Sequence, residues 1–164
     1  SDDLYTDRGE TMEAVVIRLL IERRETLAVA ESCTGGLLAK RLTDVPGASA
    51  VFMGGMVAYD NSIKIEQLSI PPSLIEKHGA VSQAVAEEMA RSARTTFSSH
   101  YGIGITGIAG PTGYTEDKPL GTVHIAVSAR DQTIHRKFRF PGDRDRVRTF
   151  AVQSSLDMLR RILT

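Results

Sequence analysis

The chain has 164 residues, a length that suits one domain or at most two small ones. Apolar residues make up 41% and charged residues 24%, a composition that excludes wholesale disorder and a fibrous repeat. Its 20 Lys and Arg balance 20 Asp and Glu, which disfavours a general nucleic-acid coat, and its one cysteine, Cys33, excludes an internal disulfide and a cysteine-built metal cage. A reducing cytoplasm suits that cysteine usage best. The longest apolar run, Ala14 to Ile21, is broken by Arg18 and falls short of the ~18 residues of a membrane span. Ser1 to Glu10 is polar and acidic, unlike a signal peptide, and reads as a flexible lead-in to a single domain over residues 11–164. The expected location is therefore cytoplasmic.

Thr11 to Arg24 carries Met12, Val15, Val16, Leu19 and Leu20 at helical spacing, which predicts an amphipathic helix. Thr26 to Ala30 is a short apolar strand. A second helix opens at Thr34-Gly35-Gly36, with Thr34 as its N-cap, and runs to about Leu42. Ala48 to Tyr59 is rich in strand formers, and its Gly54-Gly55 pair predicts a bulge or a close backbone approach. Short helices follow over Asn61 to Leu68 and from Pro72 to Gly79. Ser82 caps a long helix to about Ser98, with Val85, Met89, Ala93 and Phe97 along one stripe. Tyr101 to Thr106 is a buried strand that enters a glycine-rich loop, Gly107 to Gly121. Thr122 to Ala129 and Thr133 to Phe140 form a hairpin. A last helix starts after Pro141-Gly142-Asp143, with Val147, Phe150, Ala151, Ser154, Met158, Leu159 and Ile162 on one face. Alternating helices and strands with one hairpin predict an α/β fold, a three-layer α/β/α sandwich around a mixed central sheet.

Four segments could carry chemistry. In the first, Ala30-Glu31-Ser32-Cys33-Thr34-Gly35-Gly36 follows a strand and precedes a helix, where open α/β sheets bind ligands. Free N–H groups at Gly35, Gly36 and Leu37 would favour negative charge there, beside the Ser32 hydroxyl. Nucleophile plus oxyanion donors is what acyl transfer needs. The plainer alternative is that Ser32 and Thr34 only cap the helix. Cys33 is the rival nucleophile, or a small buried side chain. In the second segment, Tyr59 to Lys64, Asn61 is the chain's one asparagine and Lys64 lies one helical turn past Asp60. No histidine sits in a triad context and G-x-S-x-G is absent, so a lysine of depressed pKa is the candidate base. The alternative is a solvated lysine paired to Asp60.

The third segment contains a formal G-x-G-x-x-G at Gly102, Gly104 and Gly107. Its first two glycines fall inside a strand and no helix opens after the third, so it is no dinucleotide fingerprint. Thr106-Gly107-Ile108-Ala109-Gly110-Pro111 reads instead as a strand-end loop that lets backbone approach a ligand, or as a plain turn. The fourth is Arg144, Arg146 and Arg148, a cluster that suits phosphate but is interleaved with Asp143 and Asp145. No metal-ligand spacing and no P-loop occur, so no metal or cofactor is expected.

Taken together, these runs resemble the CinA C-terminal domain family. The resemblance rests on Ala30 to Gly36, Tyr59-Asp60-Asn61 with Lys64, Gly79-Ala80-Val81-Ser82, Thr106 to Pro111, Lys118-Pro119-Leu120-Gly121, and Phe140 to Arg144 with Val147-Arg148. It covers nearly the whole chain from Thr11 onward and implies a single α/β/α sandwich. It further implies a metal-free nicotinamide-nucleotide amidohydrolase that converts nicotinamide mononucleotide to nicotinate mononucleotide and ammonia. Ser32 then matches the nucleophile, Lys64 its lysine partner, and Tyr59 and Thr106 the supporting hydroxyls. Glu31, Cys33, Thr34, Gly35, Gly36, Asn61, Gly107, Gly110, Arg144 and Arg148 complete the expected substrate-binding set. Two positions depart from the family pattern: Thr112-Gly113-Tyr114-Thr115 is poorer in glycine than usual, and Asp60 stands where a small residue is common. The larger N-terminal domain of full-length members brings chemistry that is not carried over here. The rival reading is a non-catalytic module that binds a nucleotide or a protein partner in competence or DNA damage response. Nucleic acid and membrane are not expected partners. A homodimer is, through the apolar C-terminal helix.

Overall fold

The computed structural model describes residues 9–164. Of the lead-in expected over residues 1–10, residues 1–8 lie outside that range, and Glu10 at its end pairs with Arg18 at 3.1 Å. Five strands, β1 (Leu27–Glu31), β2 (Phe52–Val57), β3 (Tyr101–Gly107), β4 (Thr122–Ser128) and β5 (Thr133–Arg139), form one sheet in the order β2-β1-β3-β4-β5. The first three are parallel, and β4 and β5 run antiparallel through the hairpin. Helices α1 (Met12–Arg23), α2 (Leu37–Thr43) and α6 (Arg144–Leu163) cover one face. Helices α3 (Asn61–Leu68), α4 (Pro72–His78) and α5 (Gln83–Thr96) cover the other. This is the three-layer sandwich with a mixed sheet that the pattern predicts.

Strand alternation divides the core unequally. Leu27, Val29, Ile103, Ile105, Val123, Ile125 and Val127 point toward α1, α2 and α6 and fill the larger core. The opposite face carries Ala28, Ala30, Gly102, Gly104 and Ala126, so α5 lies close against it. A Cβ built at Gly102 would stand 2.1 Å from the Ala90 carbonyl oxygen, and one at Gly104 2.5 Å from that of Ala86. The first two glycines of the formal G-x-G-x-x-G thus serve helix–strand contact. Gly104→Ala is expected to destabilise the fold by about 2–3 kcal/mol through overpacking, read by chemical denaturation.

The predicted elements hold with three adjustments. The apolar stretch from Ala48 divides into a 3₁₀ turn, Ala48–Ala50, and β2. A register shift opposite Leu27 and Ala28 leaves Met53 as the extra residue, the bulge signalled by Gly54-Gly55. Helix α2 starts later than predicted, because Gly35 and Gly36 take φ of 58° and 99°. Its N-cap is Gly36, so Thr34 does not cap it. The buried stripe of α6 also adds Val152, Leu156 and Leu163, while Phe150 remains 39% exposed. That helix packs on β3 and β4 beside α1 and α2, so its apolar face is covered within the chain. None of the described helices is long and apolar enough to cross a membrane.

Candidate active site

The chain leaves β1 toward β2 through α2 on one face, and returns from β2 to β3 through α3, α4 and α5 on the other. The carboxyl ends of β1 and β3 therefore flank a topological switch point, the place where open α/β sheets bind ligands. A pocket of about 260 Å³ opens there. Three segments wall it: Ser32 and Cys33 after β1; Tyr59 before α3 with Asn61 and Lys64 in its first turn; and Thr106 and Gly107 at the end of β3 with Gly110 beyond it. Arg144, the first residue of α6, closes its rim. A larger hollow of about 440 Å³ beside α4 and α5 joins no nucleophile to a base, since Ser82 donates to the Gly79 carbonyl oxygen and Arg91 pairs with Glu87.

Ser32 is 7% exposed, and its N–H donates to the Ile105 carbonyl oxygen at 3.0 Å, which ties it to β3. Lys64 lies with Leu68 on the inward side of α3 and is 1% exposed. Its Nζ donates to the Tyr59 carbonyl oxygen at 3.1 Å. Burial pushes its pKa below the ordinary lysine value, against a smaller opposing pull from Asp60. Asp60 is otherwise engaged: it caps α3 by accepting from the Ser62 N–H at 2.9 Å and from the Ser62 hydroxyl. The solvated Lys64–Asp60 pair is not formed. Burial also pushes the Cys33 thiol up to about 12, which withholds the thiolate a cysteine nucleophile needs.

Several expected contacts are placed differently. The Tyr59 backbone, not its phenol, holds Lys64; the Tyr59 hydroxyl accepts from Arg144 Nη2 at 3.0 Å. The Thr106 hydroxyl donates to the Ala80 carbonyl oxygen at 2.9 Å. Glu31, Thr34, Gly35, Gly36 and Arg148 do not line the pocket. Glu31 is 1% exposed and points to the α2 side of the sheet, where its carboxylate accepts from the N–H groups of Leu38 and Ala39 at 2.9 and 3.1 Å. It satisfies the helix start that Thr34 was expected to cap, and its charge suits the positive end of the helix dipole. The N–H of Gly35 donates to Ser32 O and that of Leu37 to Thr34 O, so these do not remain free for an oxyanion. Arg148 turns inward and donates to the Thr34 carbonyl oxygen at 2.9 Å. Its Nη2 would lie 2.7 Å from a Cβ at Gly35, so that glycine makes room for the guanidinium.

The pocket's remaining walls are Ala80, Val81, Ile108, Ala109, Thr112 and Gly113, which the sequence offered only as parts of loop runs and not as binding residues. Glu31→Ala, which strands the buried Leu38 N–H and the partly buried Ala39 N–H, is expected to lower stability by about 2–3 kcal/mol. Glu31→Gln keeps one acceptor and should lose less, measured by urea denaturation.

The CinA C-terminal domain model matches residues 9–163. The chain belongs to the CinA C-terminal domain family. A CinA-like protein of Acidobacterium capsulatum is 50% identical over 162 residues, 99% of this chain but 39% of the relative. A putative competence-damage inducible protein of Acetivibrio thermocellus is 46% identical over 96% of this chain and 38% of its own length. The chain thus spans about two fifths of the curated relatives it matches. Among solved structures, a CinA superfamily protein from Klebsiella pneumoniae superposes with a TM-score of 0.90 at 34% identity, covering 93% of this chain and 95% of that one. A competence or damage-inducible protein from Enterobacter asburiae gives 0.90 at 32% identity, covering 93% and 96%.

Proposed function

We propose that this CinA-type domain is a nicotinamide mononucleotide deamidase acting through an acyl-enzyme on Ser32. The observation that carries the proposal is a buried lysine, without a carboxylate partner among the described residues, in the same pocket as a serine on a strand-end turn. A buried amine held by one carbonyl favours its neutral form, and a neutral amine has the lone pair a general base needs. Ser32 Oγ attacks the carboxamide carbon as Lys64 Nζ accepts its proton. Collapse of the tetrahedral adduct returns that proton to the leaving nitrogen, and ammonia departs. Water, activated by the same amine, then hydrolyses the acyl-serine to the carboxylate product.

The oxyanion donors assigned here differ from those expected at α2. Among the described residues, the Ala109 and Gly110 N–H groups are without a hydrogen-bond partner and border the pocket. Arg144 is the guanidinium at the rim suited to the substrate's phosphate, and it already bridges the Tyr59 hydroxyl and the Gly110 carbonyl oxygen.

Incubating the purified chain with nicotinamide mononucleotide should release ammonia and nicotinate mononucleotide in equal amounts. Calorimetric binding without ammonia would replace the enzyme with a nucleotide-binding module. Neither binding nor turnover would remove this substrate.

A further inference from the structure

The net charge of zero conceals a segregation. Residues 130–164 hold nine Lys and Arg against four Asp and Glu, while residues 1–129 hold 11 against 16. The segment that makes β5 and α6 therefore carries +5 and the rest of the chain −5. Strand alternation sets Ile134, Arg136 and Phe138 opposite Val127, Ile125 and Val123 of β4, on the face that α6 covers. But α6 packs chiefly on β3 and β4, and β5 is the outer strand, so this end of the face stays open. A groove of about 310 Å³ runs between β5 and α6, with Arg136 and Phe138 on one side and Ser154, Asp157, Arg160 and Arg161 on the other. Asp157 accepts from Arg160 Nε and Nη2 at 3.1 and 2.8 Å and from Arg161 Nε at 2.9 Å, which orders both guanidiniums. One carboxylate thus stands against three arginines. Arg160 Nη1, the terminal nitrogens of Arg161 and the whole Arg136 fork keep no hydrogen-bond partner among the described residues. Aromatic planes extend the groove. The Arg136 guanidinium lies 4.8 Å from the centre of the Phe138 ring, Phe138 stacks on Phe140 at 4.9 Å, and Phe140 on Phe150 at 5.7 Å. Phe150, 39% exposed, is the end of this ladder that solvent reaches.

We propose that the β5–α6 groove binds single-stranded nucleic acid, with phosphates on Arg136, Arg160 and Arg161 and a base on the open ring of Phe150. Guanidinium forks match phosphate oxygens, and aromatic planes take unstacked bases whatever their sequence. The occupant is argued from charge and rings together. An acidic peptide would engage the arginines and leave the aromatic ladder idle. A duplex keeps its base faces inside its own stack, so it too leaves Phe150 unused. A single strand offers both groups at once. None of these residues lines the pocket at the strand ends, so the proposal stands apart from the deamidase reading.

Fluorescence anisotropy of a labelled oligothymidylate of about 20 nucleotides tests it, with circular dichroism to confirm that each variant folds. At about 50 mM salt the wild-type chain should bind with a Kd of about 1–10 µM, and log affinity should fall against log salt with a slope of about −2, as for three phosphate contacts. Oligouridylate of the same length should bind within a few-fold, because neither contact reads the sugar. Arg136→Gln should weaken binding and make the slope shallower by about 0.7, one phosphate contact. Phe150→Ser should weaken binding at least about fivefold and leave the slope unchanged, since it removes a stacking plane and no charge. Lys77→Glu, on the exposed side of α4, changes the net charge more than Arg136→Gln does and should bind as wild type. A duplex of equal length and a polyglutamate peptide should each bind at least about fivefold more weakly than the single strand. No binding of the single strand at about 100 µM, a duplex or peptide held as tightly, or unchanged affinity in folded Arg136→Gln or Phe150→Ser overturns the proposal.

Discussion

Ser32→Ala is expected to reduce ammonia release by about 10⁴-fold or more while leaving substrate affinity within a few-fold of wild type. In the proposed mechanism this hydroxyl is the acyl carrier. Removing it leaves the Lys64 amine, the Ala109 and Gly110 N–H groups and Arg144 where they are. Its backbone tie to Ile105 is also unaffected, so the melting temperature should change little. Denaturing mass spectrometry during turnover should show the wild-type protein gaining the mass of nicotinate mononucleotide less one water, and the variant gaining none. Wild-type-like turnover by Ser32→Ala would sink the mechanism. Cys33 is then an unpromising replacement, because its buried thiol stays protonated at neutral pH.

Lys64→Met should be nearly as damaging, about 10³-fold, but with a gain in stability. Methionine matches the volume of the lysine stem and needs no solvation. The sign follows from linkage. The folded-state pKa of Lys64 lies below its unfolded value, so the folded chain binds fewer protons and its stability rises with pH through that window. At neutral pH the buried amine therefore opposes folding. Lys64→Met should raise stability by about 1 kcal/mol, or a few degrees in melting temperature, while abolishing activity. In the wild type, turnover should climb with pH through the lowered Lys64 pKa, since the neutral amine is the base. Lys64→Arg, which cannot deprotonate, should lose that basic limb and the activity together. A variant that is both inactive and less stable would show Lys64 to be a structural element instead.

These two residues also mark how far the sequence could be read. Ser32 was legible, because a hydroxyl between an apolar strand and a Gly-Gly helix start falls where strand ends meet ligands. Lys64 was only half legible. Its position in α3 was clear from spacing, but nothing local distinguishes a buried lysine from a solvated one paired to Asp60. Burial comes from α3 folding against α5 and the small-residue face of the sheet, contacts made with segments distant in the chain. Glu31 is the sharper case. Beside Ser32 it looks like a ligand group, yet strand alternation turns it to the opposite face, and there it completes α2. The arginines at the start of α6 divide in the same way: Arg144 reaches the pocket, while Arg148, one turn on, faces the interior and holds Thr34.

Periodicity, caps and turn residues by themselves determined the order of the elements, the α/β class, the hairpin and the strand ends where chemistry could sit. These depend on neighbours within one turn or one strand, so local order contains them. Which side chains meet, which carboxylate belongs to a helix rather than a ligand, and which hydroxyl shares a pocket with a buried lysine were decided only by tertiary structure. Each depends on the register and handedness with which β2, β1 and β3 assemble, and segments up to a hundred residues apart must pack before any of those contacts exists.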